Sequence, residues 1–316
     1  MKRANSILIV VIISFLALGM ALSPLAIFIA KTQIKKLLPG SNVTINNCSV
    51  NPFRKLSFSG VQVSKKPLYD LKIKQAQIGF SLASIFKGLK LNPWELIESC
   101  QIDVDSLEMN QVFLESGYLK ATRGHDDGVI KINKIKTGKL NIKDFKGKAR
   151  LEDGYLFFDS LTAALLGGHL EGNSRIKLAG AVTYQVKLNF FDLDLDTFMK
   201  DFEFKEKAEV SGKVSGLLEL QGQMQDVSIL EGKLSTGKEG GTLTIKDARF
   251  LETLARSSGQ ALDLVVESFK NYRYNIGITN ISLQDNKVVF VIDLDGSAGK
   301  RSLNITLHDF NLRRAQ

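Results

Sequence analysis

The chain has 316 residues, enough for one large domain or two small ones. Its 44% hydrophobic and 24% charged content excludes both a disordered tail and a polytopic membrane protein. The formal charge of +9 comes from basic residues scattered along the chain rather than clustered with aromatics. That excludes a nucleic-acid footprint and suits a mildly basic surface beside anionic lipid.

Ala4 to Ala30 carries no charged residue. As a helix it would run about 40 Å, more than the ~30 Å a hydrocarbon core requires. Lys2 and Arg3 precede it, which predicts a cytoplasmic N-terminus and a translocated remainder. A cleaved signal peptide is the rival reading. The apolar run is too long for one, and the best small-residue site, Ala21-Leu22-Ser23, is followed by Pro24. Lys31 to Leu38 continues as a short basic helix, closed by Pro39-Gly40.

The hydrophobic period then changes from helical to two. Val43 and Ile45 alternate with polar residues. Leu71 and Ile73 share one parity and Ala76, Ile78 and Phe80 the other, which predicts a bulge near Gln75. Ile130 and Ile132, then Leu140 and Ile142, continue the pattern. Three stripes follow: Tyr184, Val186, Leu188 and Phe190; Val288, Phe290, Ile292 and Leu294; and Leu303, Ile305 and Leu307. Such alternation sets one face against an apolar environment and the other against water. Helices are expected only at Ser81–Leu89, Asp194–Phe202 and Arg249–Tyr272, the last weakened by Gly259. The fold class is mainly β, after a transmembrane helix. The chain divides into a cytoplasmic tip (1–3), an anchor (4–30) and a β region in two parts (31–160 and 161–316), with no low-complexity linker between them.

No catalytic constellation emerges. His125, His169 and His308 pair with no second His or Cys at metal-ligand spacing. Gly124-His125-Asp126-Asp127-Gly128 reads as a polar turn. Gly237 to Thr242 lacks the order of a phosphate loop and leads into a strand at Leu243 to Ile245, so it too reads as a turn. No enzyme, cofactor or metal site is expected. Cys48 and Cys100 allow one pairing, a disulfide if the fold brings them together in an oxidising compartment; otherwise they are two unrelated buried thiols. The apolar stripes either line a groove or pack on a second sheet as a sandwich core.

Three stretches carry a resemblance. The first runs from the anchor through VTINNCSV at Val43, LSFSGVQV at Leu56 and LKIKQAQIGF at Leu71. The second is ALLGGHLEGNSRI at Ala164, followed by YQVKLNFFDLDLDTF at Tyr184. The third runs from VSGKVSGLLELQGQ at Val210 through GGTLTI at Gly240, FKNYRY at Phe269 and LDGS at Leu294 to LNITL at Leu303. Together they resemble the AsmA-like family of bacterial envelope proteins, in its YdbH-like branch. The resemblance implies a long, curled β-sheet with a hydrophobic groove of the chorein or bridge type, carrying phospholipid between inner and outer membranes. It places the anchor in the inner membrane and the bulk in the periplasm, and the eleven stripe residues along the acyl path. This chain is shorter than the well-known members. About 15–18 strands at ~4.8 Å would span roughly 70–85 Å, so self-association or an envelope protein partner is expected to extend the groove. The alternative reading is a non-enzymatic structural or assembly factor acting through protein partners.

Overall fold

The computed structural model describes residues 23–36, 38–51, 55–80, 97–109, 112–137, 140–178, 182–201, 205–223, 226–259 and 261–307. Most of the expected anchor (4–22), the Ser81–Leu89 segment and His308 lie outside them. Among the described residues no helix is long and apolar enough to cross a membrane.

A helix, α1, covers residues 23–36. The period-two sequence that follows forms β1 (Asn42–Asn51), β2 (Lys55–Lys65), β3 (Tyr69–Phe80), β4 (Ile97–Met109), β5 (Val112–Thr122), β6 (Gly128–Thr137), β7 (Leu140–Glu152), β8 (Tyr155–Leu165), β9 (Gly168–Lys177) and β10 (Thr183–Asp194). Helix α2 (Leu195–Asp201) precedes β11 (Ala208–Gln223) and β12 (Asp226–Ile245). Helices α3 (Ala248–Ser258) and α4 (Leu262–Ser268) precede β13 (Tyr272–Gln284), β14 (Lys287–Gly296) and β15 (Gly299–Leu307). These fifteen strands belong to one sheet in chain order. The second sheet that a sandwich core requires is therefore not found among the described strands. The expected bulge near Gln75 is present, as a register shift between Ile73 and Gln75 against β4.

The described residues divide into two compact units, one of those within 1–135 and 147–157, the other of those within 136–146 and from 158 onward. In the first unit, Val43 and Ile45 of β1 and Phe58, Val61 and Val63 of β2 form a buried cluster. Cys48 lies opposite Phe58, Phe58 opposite Ala76, and Cys100 opposite Ile78. The two cysteines thus stand on β1 and β4 with two strands between them, about 14 Å apart at ~4.8 Å per strand. A disulfide requires Cα atoms within ~7 Å, and both thiols are free, so of the two readings the bridge is the one set aside. The Gly124–Gly128 segment links β5 to β6 as a turn, with Asp126 paired to Arg150 and Asp127 to Lys120.

In the second unit, Asp194 caps α2 by accepting a 2.6 Å bond from the Thr197 amide. The long helix expected over Arg249–Tyr272 is instead two. Gly259 sits in the left-handed region at φ +65° and ends α3, its amide donating back to the Ala255 carbonyl. The helical face resumes at Leu262 and stops at Ser268, because Tyr272 already pairs with Leu243 in the sheet. Gly237 to Thr242 is not a turn between strands. It is a bulge inside the twenty-residue β12, where the register against β13 jumps between Ser235 and Gly241. Gly240 makes this feasible at φ +60°; a Cβ there would stand 2.0 Å from the Tyr274 carbonyl oxygen.

Candidate functional site

The cross-strand partners of the second unit decide which side chains share a face, since directly opposed residues lie on the same side of a sheet. Leu188, Leu218, Gly232, Ile281, Phe290 and Ile305 are successive partners from β10 to β15. The next row is Phe190, Gly216, Leu234, Thr279, Ile292 and Leu303. On its other side lie Val186, Leu220 and Leu230, and further along Leu283, Val288 and Leu307. All eleven stripe residues read from the sequence therefore belong to one face of this unit, Tyr184 being two residues from Val186 on β10.

The reverse face carries the charged side chains, with a few aliphatic ones among them, such as Leu217 and Val289. Its central row is Lys187, Glu219, Glu231, Ser282, Val289 and Thr306. Lys187 Nζ donates to Glu219 Oε1 at 2.8 Å, and Ser302 Oγ to Asp293 Oδ1 at 2.8 Å. These pairs sit in water and contribute little to stability. Their role is to keep that side wet, so the sheet has one apolar and one solvated face.

Burial differs along the apolar face. Tyr184, Val186, Leu188 and Phe190 are half-buried, as are Leu218, Leu220, Leu234, Ile281, Phe290 and Ile292. Ile305 is exposed. Glycines alternate with leucines here, and the leucines lean into the gaps. Leu218 Cδ1 lies 2.8 Å from where a Cβ on Gly232 would stand, and Leu188 Cδ2 lies 2.9 Å from the same point on Gly172. Each end is closed by other elements. Leu188 and Phe190 pack toward Leu165, Leu170, Leu193 and Val214, with Leu195 of α2 beside them. At the other end, Leu251 and Ala255 of α3, Val265 of α4 and Phe269 cover Leu294, Leu303, Tyr272 and Tyr274. Leu294 and Leu303 thus lie under the helix pair, where they serve packing, whereas Phe290 and Ile305 lie outside that cluster.

A bulge between Tyr274 and Ile276 switches parity in β13. It brings Tyr272 and Tyr274 onto the apolar face and turns Ile276 out to water. The Tyr274 hydroxyl donates to the Ser211 carbonyl at 2.6 Å, and burial pushes its pKa up to about 12. The Tyr272 hydroxyl donates to Gly299 O at 2.6 Å, with the Arg301 guanidinium over its ring. Tyr184 is also raised, first by burial and then by the Asp226 carboxylate. Among the described residues, uncharged tyrosines are thus the titratable groups within this face, apart from Arg301 at its rim. A surface of this kind can take aliphatic chain out of water, and among the described residues it sets no nucleophile beside a base. The two described histidines stand elsewhere: His125 in the β5–β6 turn, and His169 stacked on Phe191 at 4.8 Å.

Several residues of the face escape a reading of the sequence alone. Leu218 and Leu220 are masked by Leu217, whose neighbouring apolar side chain breaks the alternation; it points to the wet face and is 46% exposed. Leu230 and Leu234 are separated by Gly232, which contributes no hydrophobic signal. The register against Leu218 and Leu220 is what reveals them.

No curated protein and no solved structure matches the chain significantly. A family model described as "YdbH-like: Intermembrane phospholipid transport protein YdbH" matches residues 99–300. That span covers well over half of the chain and contains the apolar face from β10 to β14, so this protein belongs to the YdbH-like family.

Proposed function

We propose that this chain is a non-enzymatic, inner-membrane-anchored periplasmic protein that binds phospholipid acyl chains on its apolar face and conducts them between inner and outer membranes. The observation that carries this reading is the in-register continuity of apolar side chains from β10 to β15, backed by no second sheet among the described strands. Each methylene brought into water costs ~0.8 kcal/mol, so a chain of about 16 carbons costs on the order of 13 kcal/mol. A continuous apolar strip can remove most of that barrier. Tyr184, Val186, Leu218, Leu220, Ile281, Phe290 and Ile305 are the side chains we assign to the path; Leu188, Phe190, Ile292, Leu294 and Leu303 extend it into the packed ends, and we assign the Val288 and Leu307 positions of the same stripes to it as well. Residues 4–30 hold the chain in the membrane, with Met1 to Arg3 cytoplasmic.

The test is transfer of fluorescent phospholipid from donor to acceptor vesicles by the full chain. Transfer above the spontaneous rate supports the reading, and none counts against it. Alkaline phosphatase fused after Gln316 tests the topology: activity places the domain outside the cytoplasm.

A second reading, a structural or assembly factor, is favoured by one feature. Leu262, Leu264 and Val266 of the seven-residue α4 are all exposed. Crosslinking that captures one dominant protein and no lipid would support it.

A further inference from the structure

The turn after α1 sets a polar corner at one end of the apolar face of β1 to β3. Gly40 takes the left-handed φ of +79° that reverses the chain, and the Ser41 amide donates back to the Leu38 carbonyl at 3.2 Å. Asn42 opposes Ser64, which sets Ser41 beside Lys65, and Lys65 opposes Tyr69. Ser41 has the parity of Val43 and Ile45, and Tyr69 that of Leu71 and Ile73. All three side chains thus belong to the apolar face.

Two hydroxyls of this corner are shut away from water. Ser41 is 7% exposed, and Tyr69 is half-buried with its hydroxyl inward. Both oxygens are buried, and neither meets a hydrogen-bond partner among the described residues. A buried hydroxyl in that position costs free energy that a ligand oxygen recovers. Lys65 Nζ donates to the Pro39 carbonyl at 3.2 Å, which uses one of its three donors. Carboxylates are kept off this face. Asp70 opposes Ser64 and Glu108 opposes Asp70, so both lie on the reverse side, where Asp70 accepts from Gln62 at 2.9 Å. Two hydroxyls and an ammonium with no acid on their side suit an anion that presents several oxygens, as a phosphate group does.

The surroundings decide what carries that phosphate. From Tyr69 the face continues half-buried through Met109 and Val112, and in the next row through Leu71, Leu107 and Leu114. An anion site opening straight onto hydrocarbon suits an amphiphile better than a free ion. We infer that Ser41, Lys65 and Tyr69 bind the phosphodiester of a phospholipid whose acyl chains lie over Leu71, Leu107 and Met109. This deepens the lipid-binding function proposed above and rests on it: the headgroup acquires a fixed station at the β1 to β3 end of the sheet.

The full chain in dodecyl maltoside micelles is titrated with phosphatidylglycerol and with diacylglycerol, each carrying the same fluorophore on one acyl chain, and separately with inorganic phosphate. Phosphatidylglycerol should bind about tenfold tighter than diacylglycerol, as charge-assisted hydrogen bonds imply. Ser41→Ala, Tyr69→Phe and Lys65→Gln should each cut that preference several-fold and leave diacylglycerol binding unchanged. Without added lipid, Tyr69→Phe should keep or raise the melting temperature, because it removes a hydroxyl that bonds to nothing in the fold. A lower melting temperature with phosphatidylglycerol binding unchanged would overturn the inference, since the hydroxyl would then serve the fold. Equal binding of the two lipids would overturn it as well. If inorganic phosphate then stabilises the wild-type chain and not Lys65→Gln, the site belongs to the free ion. A chain that prefers phosphatidylglycerol through these residues yet transfers none upholds this inference and counts against the transport reading alone.

Discussion

Phe290 offers a direct perturbation of the acyl path. It is half-buried at the centre of the apolar face, between Ile281 on β13 and Ile305 on β15. Replacing it with Asp sets a hydrated carboxylate among hydrocarbon side chains. If its water shell strips roughly three to four methylenes of a passing chain, the barrier rises by about 2.4–3.2 kcal/mol at ~0.8 kcal/mol each. At 1.36 kcal/mol per tenfold, transfer slows by roughly 50- to 200-fold. Phe290→Ala keeps the surface apolar and should retain most of the rate. Val291→Asp adds the same charge one residue along, on the solvated face opposite Asn280 and Asn304, and should leave transfer within about twofold, as surface substitutions are mild. The assay is vesicle-to-vesicle transfer, with thermal melting of each variant to establish folding. Equal losses from Phe290→Asp and Val291→Asp, or no loss from either in folded protein, would refute the assignment of this face to lipid.

Three further outcomes follow from the structure. Tyr274→Phe removes the hydrogen bond to Ser211 O and should cost about 1 kcal/mol near neutral pH. The folded-state pKa of this tyrosine is raised to about 12, so its contribution is complete below the free phenol value of about 10 and is lost as pH rises toward 12; unfolding by denaturant across that window should depend on pH less steeply in the Phe variant. Gly240→Ala, with a strained φ and a Cβ colliding with backbone, should destabilise by about 3 kcal/mol or more, whereas Gly259→Ala, at φ +65° with open space around it, should cost about 1 kcal/mol in the same melts. Cys48 and Cys100 should both titrate as thiols in unfolded protein prepared without reductant, and reductant should not shift the melting temperature; because burial raises both thiol pKa values, native alkylation should lag the unfolded chain at mildly alkaline pH.

What was legible in the sequence depended on local period. The stripes at Tyr184–Phe190 and Val288–Leu294 alternate cleanly, so their shared exposure to one environment could be read at once. That β10 and β14 turn the same side could not, because it rests on the ladders between them; nor could the placing of Tyr272 and Tyr274 on that face, which rests on the bulge at Tyr274–Ile276. Leu217 hid the β11 stripe, and the glycines at 216 and 232 hid how leucines fill the face. The helix pair illustrates the opposite error. The 3.6-residue face persists past Gly259, while the left-handed residue there breaks the backbone that carries it. Cysteine pairing is the least local property of all: a strand spacing of ~4.8 Å multiplied across β1 to β4 excluded a bridge that spacing along the chain leaves open.

Whether lipid runs along one face and not the other can be read by photocrosslinking at two adjacent residues. Leu218 and Leu217 are neighbours on β11 with opposite orientations, one half-buried on the apolar face and the other exposed on the polar one. Each is replaced in turn with p-benzoylphenylalanine in the full chain, cells are irradiated, and the purified protein is weighed by mass spectrometry. Phospholipid adducts are expected at Leu218 and none at Leu217. Equal lipid adducts at both positions, or protein adducts alone at Leu218, would contradict it.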